Sequence, residues 1–185
     1  MTTVWVWAEI GPDGLHPSAF ELLAKARELG EAAAVALGPG ATAAAADLGA
    51  HGATTVYASD DTIFSDGLSQ PAAHVLHGLV DAHRPDLILF PTTYDARDVA
   101  GRLQARTGST LLANATDLPS ATRAETRVAG GSRIVETDLA GPAPRLVLVR
   151  PKSFAAEAVG GNATVVAVAA DVPDALRSAR RVERH

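Results

Sequence analysis

The sequence predicts an α/β fold, in which an open and mostly parallel sheet carries helices on both faces in three layers. Short apolar strands alternate with helical patterns up to residue 108, and a few residues connect each pair. The continuous apolar run 87–90 is typical of a strand that is buried on both faces. The apolar share is 47% and the aromatic share only 4%, so small aliphatic side chains must build the core.

The first half of the chain divides into four strand and helix pairs. The predicted strands are 4–8, 33–37, 54–58 and 87–90, and each is short and apolar or β-branched. Helical patterns follow in residues 18–29, 43–49, 71–82 and 94–107. Ser18 and Glu21 have the spacing of a capping box at the start of the first helix. Gly108 is placed to end the last of these helices in the left-handed conformation.

The second half has a different pattern, with short β-like segments separated by turns. These segments are 111–112, 116–118, 122–128, 132–137, 146–149 and 164–168. Gly130-Gly131 is a hairpin signal between two of them. We therefore expect a β-rich and antiparallel extension of the sheet. Residues 1–170 form the predicted domain, and residues 171–185 are expected to be a linker or an exposed C-terminal segment.

Composition excludes several classes of function. The 185 residues include no cysteine, which rules out disulfides, thiolate catalysis, cysteine-bound zinc and cysteine-ligated iron–sulfur clusters. The net charge of −5 argues against nucleic acid or anionic membranes as partners. No apolar stretch reaches the roughly 18 to 20 residues of a membrane span. Residues 1–4 do not resemble a secretory signal, so we expect a cytoplasmic protein without membrane insertion.

The best physical candidate for a site is the corner after the strand 87–90. Ligands of open parallel sheets bind beyond the carboxyl ends of the strands, which is where Thr92 and Thr93 lie. Arg97 and Asp98 follow in the first turns of the next helix, whose N-terminus could receive a phosphate or a partner's carboxylate. Asp95 and Asp98 could alternatively do acid–base work, although carboxylates in a first helical turn also serve the helix dipole.

Two other patterns have ordinary explanations beside functional ones. The turn 38–40, Gly-Pro-Gly, could approach a phosphate, but such pairs commonly mark plain turns. His74 and His77 share one face of a predicted helix and could hold a metal, yet no third ligand has motif spacing. Solvated or partly buried histidines fit the pattern better. No G-x-S-x-G nucleophile motif occurs, so no catalytic residues are predicted.

An ordered set of short motifs runs through nearly the whole chain. The stretches are W-V-W-A-E at 5–9 with L-H-P at 15–17, A-K-A-R-E-L-G at 24–30, G-A-T-T-V-Y at 52–57, F-P-T-T at 90–93 continuing to Asp98 and Arg102-Leu103, N-A-T-D at 114–117 and V-R-P-K-S-F at 149–154. Their order and spacing resemble the N-terminal domain of the alpha subunit of electron transfer flavoprotein.

This resemblance implies a Rossmann-like fold of the adenine-nucleotide-hydrolase type. It also implies a heterodimer with a beta subunit that carries electrons from flavin dehydrogenases, including those of fatty acid β-oxidation, to a respiratory acceptor. In the family, FAD binds a C-terminal domain of the alpha subunit and AMP binds the beta subunit. The sequence ends near the point where that FAD domain begins, so we expect the FAD site outside this chain.

Two loops depart from the family pattern. Residues 96–98 read A-R-D where the family has G-K-D, and residues 129–132 read A-G-G-S where it has A-G-N-A. We expect a scaffold and docking domain that pairs through its β-rich half and carries no catalytic residues. The alternatives are a free-standing adenine-nucleotide-binding module that uses Thr92, Thr93, Arg97 and Asp98, and a small hydrolase, for which the sequence offers no nucleophile.

Overall fold

The computed structural model describes residues 1–183. The strands are β1 (Thr3–Trp7), β2 (Ile10–Gly11), β3 (Gly14–Leu15), β4 (Glu31–Leu37), β5 (Thr55–Ser59), β6 (Leu87–Pro91), β7 (Leu111–Ser120), β8 (Arg123–Val128), β9 (Arg133–Asp138), β10 (Arg145–Val149) and β11 (Thr164–Ala167). The helices are α1 (Ser18–Leu29), α2 (Ala41–Ala50), α3 (Ile63–Asp66), α4 (Ser69–His83) and α5 (Tyr94–Thr107). Within this described part, no helix has the length and apolar character needed to cross a membrane.

Nine strands form one sheet in the order β11-β5-β4-β1-β6-β10-β7-β8-β9, and β2 with β3 makes a separate small hairpin. β1 lies between β4 and β6 and is parallel to both, with Val6 paired to Ala34 on one side and to Leu89 on the other. The predicted fold class, an open and mostly parallel α/β sheet, is confirmed.

Alternate residues of β1 point into two separate cores, because successive side chains of a strand face opposite sides of the sheet. Val4, Val6 and Ala8 pack in a cluster with residues of α1 and α2. Trp5 and Trp7 pack in a second cluster with residues of α4 and α5. The central strands of the sheet are therefore covered on both faces.

The two helix caps predicted from sequence have opposite outcomes. Gly108 ends α5 in the left-handed conformation, with φ of 67°, as predicted. The prediction of a capping box for α1 is wrong. Pro17 occupies the N-cap, and Ser18 is already the first helical residue. Its hydroxyl lies 2.7 Å from His16 Nδ1. Glu21 instead accepts a hydrogen bond of 2.8 Å from the N–H of Lys152, which brings the loop after β10 onto α1.

The second half of the chain is antiparallel only in part. β8 pairs antiparallel with β7 and with β9, as predicted. The expectation is wrong for β10, which lies between β6 and β7 and is parallel to both. It is also wrong for β11, which is parallel to β5 at the opposite edge. The physical reason for β10 is that residues 146–149 are buried, and a continuous apolar run is typical of a central parallel strand.

The segment after residue 170 returns to the body of the domain. Val172 is 5% exposed and belongs to the core that contains α4 and α5. Leu176 packs against the same core. Arg180 forms an antiparallel bridge with Gly67. The predicted boundary at residue 170 stays a prediction, and residues 184 and 185 of the expected C-terminal segment lie outside the described residues.

Candidate functional site

The carboxyl ends of β1 and β6 meet at a topological switch point of the sheet. β1 continues through α1 on one face, whereas β6 continues through α5 on the other. Ligands of open α/β sheets bind in the crevice at such a point. We call this region the β1–β6 corner and define it by Glu9, Thr92, Thr93, Asp95 and Arg97, which line a cleft of about 390 Å³ together with Tyr94.

Thr93 bridges the β1–β6 corner. It occupies the N-cap of α5 in extended conformation, and its hydroxyl oxygen accepts a hydrogen bond of 3.1 Å from the N–H of Ala96. The same hydroxyl donates to the carboxylate of Glu9, which follows β1. One side chain therefore caps the helix and ties it to the neighbouring strand. The crevice is spanned by the chain's own hydrogen bond.

Thr92 connects the corner to the neighbouring strand β10. Its hydroxyl donates a hydrogen bond of 2.7 Å to the carbonyl of Val149, at the carboxyl end of β10. Arg97 is exposed and lines the cleft beside the start of α5. Asp98 does not line it and accepts a hydrogen bond of 3.0 Å from Arg102 Nε, one turn along the helix. Of the four predicted site residues, the structure thus brings Thr92, Thr93 and Arg97 together and leaves Asp98 on the outer helix surface.

Sequence reasoning considered Asp95 at this corner only as an acid–base candidate beside Asp98, and it did not identify Glu9 and Arg181. Glu9 directly follows the first strand, which is the local signal that could have indicated it. Asp95 accepts an ion-pair contact of 3.1 Å from Arg181 Nη2. Arg181 is far from Asp95 in sequence, so no local spacing indicates that contact. The two carboxylates of the corner are matched by two cationic groups, because Arg97 lines the same cleft and Arg181 pairs with Asp95.

The turn at residues 38–40 supplies backbone donors that the chain itself uses. Asp60 Oδ1 accepts hydrogen bonds of 3.1 Å from the N–H groups of Gly40 and Thr42 at the start of α2. Hydrogen bonds from Thr42, through its side chain and its N–H, with those of Gly40, hold the pKa of Asp60 below its usual range. A carboxylate thus takes the place that a phosphate would need at this helix N-terminus.

His74 and His77 of α4 do not assemble a metal site within the described residues. His77 Nδ1 lies 3.6 Å from Asp81 Oδ2, one turn along the same helix. Across residues 1–183 no group of three or more histidine, aspartate or glutamate side chains is arranged to hold a metal ion. His77 is accordingly a helix-surface residue with a carboxylate neighbour.

The V-R-P-K-S-F stretch at residues 149–154 leads into a loop that contacts helix α1 through Phe154. Lys25 Nζ lies 4.9 Å from the centroid of the Phe154 ring, and it pairs with Asp117 at 3.1 Å and with Glu28 at 2.7 Å. Burial lowers the pKa of Lys25, but the hydrogen bonds to Glu28 and Asp117 outweigh it, so the pKa is raised overall. This lysine holds the loop after β10 and the strand β7 against α1.

The comparisons with known proteins agree with this architecture. A family model described as the electron transfer flavoprotein domain matches residues 4–175. The chain belongs to the electron transfer flavoprotein family. The resemblance drawn from the motifs of the sequence is therefore confirmed, and the Rossmann-like sheet is the fold that it implies.

Several relatives are named electron transfer flavoprotein subunit alpha. The chain is 35% identical over 181 residues to the electron transfer flavoprotein subunit alpha of Mycobacterium tuberculosis (strain ATCC 25618 / H37Rv). This match covers 97% of the chain and 56% of the relative. The chain is 30% identical over 161 residues to the subunit alpha of Clostridium acetobutylicum, covering 82% and 48%. Protein FixB of Rhizobium meliloti is 30% identical over 165 residues, covering 82% and 47%. The chain spans about half the length of the curated relatives it matches.

Proposed function

We propose that this chain is an alpha-subunit-type domain of an electron transfer flavoprotein. It pairs with a beta subunit, and the assembly carries electrons from flavin dehydrogenases to a respiratory acceptor in the cytoplasmic compartment. Within that assembly the chain is mainly scaffold and docking surface. The family match over residues 4–175, together with relatives named subunit alpha, is the observation that carries the proposal.

The hydrogen bonds that carboxylates already make at the strand ends support a cofactor site outside this chain. The Glu9 carboxylate accepts the Thr93 hydroxyl in the crevice where a nucleotide would enter. Asp60 holds the N-terminus of α2, so a phosphate would have to displace a carboxylate there. Anionic phosphates beside carboxylates are disfavoured by like-charge repulsion. We therefore propose that FAD binds in a part of the assembly outside residues 1–185. The proposal that AMP binds the beta subunit rests on the family resemblance alone.

The antiparallel hairpin of β8 and β9 supports the docking role. Val128 and Val135 are 41% and 44% exposed on one face of the hairpin, and Ile134, 51% exposed, lies on the opposite face. All three lie in the hairpin at the far edge of the sheet. An edge strand also presents unpaired backbone groups to which another chain can add. We propose that the beta subunit covers this surface, which we call the hairpin surface.

Co-expression with a beta subunit tests the proposal. We expect the chain alone to be colourless and to co-purify with the beta subunit as a one-to-one complex. The double variant Ile134→Asp and Val135→Asp should weaken that complex at least tenfold. Val165→Asp is the matched control, because Val165 is 46% exposed on β11 at the opposite edge and should leave the complex intact.

Absence of any complex between the wild-type chain and a beta subunit would contradict the alpha-subunit proposal. A flavin absorbance spectrum from the isolated chain would contradict the placement of FAD elsewhere. A complex that Val165→Asp breaks and the hairpin double variant does not would move the docking surface to the other edge of the sheet.

The cleft of the corner favours one second candidate, an adenine-nucleotide-binding module of the same fold. Thr92, Thr93 and the exposed Arg97 line its 390 Å³ beside the N-terminus of α5, which attracts anions. Titration calorimetry with AMP distinguishes the two proposals. Saturable binding that Arg97→Ala abolishes and Asp98→Ala does not would support the module, whereas no heat of binding is expected for the scaffold.

A further inference from the structure

A small cavity lies at the inner end of the β1–β6 corner, and we call it the inner cavity. Its volume is about 40 Å³, and Trp7, Glu9, Ser69, Asp95 and Arg181 are among the residues that line it. One water molecule needs roughly 10–15 Å³ of such space, and its share of the liquid is about 30 Å³. Organic ligands occupy pockets of roughly 300 Å³ or more. The inner cavity therefore has the size of a site for one water molecule.

Trp7 presents a buried hydrogen-bond donor at the inner cavity. The residue is 5% exposed, and its Nε1 has no hydrogen-bond partner among the described residues. An indole N–H can only donate, so it needs an acceptor. The large majority of buried polar groups in native proteins have such a partner, either in the protein or in ordered water. Because Trp7 lines the inner cavity, this donor indicates an acceptor bound there.

Glu9 presents an acceptor at the same cavity. Its Oε2 accepts the hydroxyl of Thr93, and an ionised carboxylate has sites for about four hydrogen bonds, so it can accept from a second donor as well. Glu9 follows Trp7 by two residues, and Ala8 between them donates to the carbonyl of Val35, as a residue that extends β1 would. In an extended chain, residues two apart point to the same side. The indole and the carboxylate therefore face the same cavity from one strand.

The polar groups of the wall decide which small species fits. The wall contains two carboxylates, Glu9 and Asp95, and one guanidinium, Arg181. A cation such as ammonium has no lone pair that could accept from the Trp7 N–H. An anion would be repelled by the excess of carboxylates. Water both accepts and donates, so it satisfies the indole on one side and a carboxylate on the other.

We infer that the inner cavity binds a single water molecule, which accepts a hydrogen bond from Trp7 Nε1 and donates one to the carboxylate of Glu9. This water completes a chain of hydrogen bonds that runs from Trp7 through Glu9 to Thr93 at the N-cap of α5. A ligand group that displaces the water keeps its hydrogen bonds only if the group both accepts and donates, as a hydroxyl does. The inference concerns contacts within the chain and does not depend on the proposed electron-transfer role.

NMR of the full chain with ¹⁵N-labelled indole nitrogens tests the water site. The chain has two tryptophans, so two indole signals are expected, and the variants Trp5→Phe and Trp7→Phe assign them. In a water-selective rotating-frame spectrum, we expect a cross-relaxation peak between water and the Nε1–H of Trp7. Its sign distinguishes a nearby bound water from chemical exchange. Trp5 is the matched control, since it is 1% exposed but does not line the inner cavity, and its peak should be at least fivefold weaker.

Two outcomes of this measurement would overturn the water site. One is the absence of a cross-relaxation peak at Trp7, and the other is a peak of equal intensity at Trp5 and Trp7. Ser69 also lines the inner cavity, and its hydroxyl proton exchanges with solvent. Ser69→Ala should keep the peak at Trp7. Loss of the peak in Ser69→Ala would assign it to that hydroxyl and would also overturn the inference.

Variants of Glu9 test the acceptor of the water. Glu9→Gln keeps an oxygen acceptor and should keep the peak at Trp7, whereas Glu9→Leu removes both oxygens and should weaken it at least fivefold. The two variants lose the same charge, so the comparison isolates the acceptor. Thr93→Ala is a further control, because it removes the other hydrogen bond of Glu9 and leaves the carboxylate in place. A peak that persists in Glu9→Leu, or that disappears in Thr93→Ala and Glu9→Leu alike, would contradict Glu9 as the acceptor.

Discussion

The parallel half of the sheet and its antiparallel extension bury their residues in different ways. In β6, all five residues from Leu87 to Pro91 are buried, because helices cover both faces of the strand. In β9, by contrast, five of the six residues from Arg133 to Asp138 are exposed, and Thr137 is partly buried. The first region is a closed scaffold and the second is an open surface at the sheet edge.

The difference shows where this chain has room for a partner. At the carboxyl ends of the parallel strands, Thr93, Glu9 and Arg181 use the polar groups of the corner for contacts within the chain. On the hairpin surface, Ile134 and Val135 contribute apolar side chains that the described chain does not cover. The fold therefore uses the polar groups of its ligand crevice internally, and the antiparallel edge is where we propose that a partner docks.

The largest expected effect is a difference in the free energy of unfolding between a variant of the parallel half and a variant of the antiparallel extension. Phe90→Ala removes a fully buried ring from β6 and should lower the free energy of unfolding by about 3–5 kcal/mol, since it leaves a cavity between packed layers. Ile134→Ala, on β9, should change it by less than about 1 kcal/mol. Urea unfolding of both variants measures this. Equal losses would contradict the contrast between scaffold and surface.

A smaller loss of unfolding free energy is expected from a change at the N-cap of α5, in the parallel half. Thr93→Ala removes the N-cap of α5 and the bond to Glu9, and should cost about 1 kcal/mol of unfolding free energy. Thr93→Ser keeps the hydroxyl and should behave like the wild type. Thr122→Ala changes an exposed threonine of the extension and serves as the control in thermal unfolding. A Thr93→Ser variant as unstable as Thr93→Ala would exclude the hydroxyl as the cause.

The smallest effect is a pH dependence at the start of α2. The folded state lowers the pKa of Asp60, so the carboxylate stabilises the fold above the unfolded-state pKa of about 4 and loses that contribution as pH falls through the lower folded value. The difference in Tm between wild type and Asp60→Asn should therefore be constant near neutral pH and shrink below about pH 4.

Asp13→Asn, at an exposed position in the turn between β2 and β3, controls for the general effect of losing one carboxylate. If the Tm difference for Asp60→Asn had the same pH profile as that for Asp13→Asn, the hydrogen bonds to Gly40 and Thr42 would not be its source.

Much of the parallel half could be predicted from the sequence because its signals are local. The apolar run 87–90, the Thr93 position before a helical pattern and Gly108 at its end each depend on a few adjacent residues. The sheet position of β10 could not be predicted in this way. Residues 146–149 look like any short apolar strand, and only the pairing with β6 and β7 places them at the centre of the sheet.

Part of the candidate site could also be predicted from local sequence signals. The rule for open parallel sheets placed Thr92 and Thr93 at the carboxyl edge without further information. The contact of Arg181 with Asp95 is between residues that are distant in sequence, so no spacing rule indicates it. Asp98 was assigned to the corner by proximity in sequence, but helical geometry turns it toward Arg102 on the outer surface.

The central claim, a closed corner and an open docking edge, is tested most directly by hydrogen exchange of the chain with and without a bound beta subunit. We predict that the complex protects residues 123–138 of the β8 and β9 hairpin and leaves exchange at residues 91–97 unchanged. Protection confined to residues 91–97, with the hairpin exchanging as in the free chain, would contradict the claim.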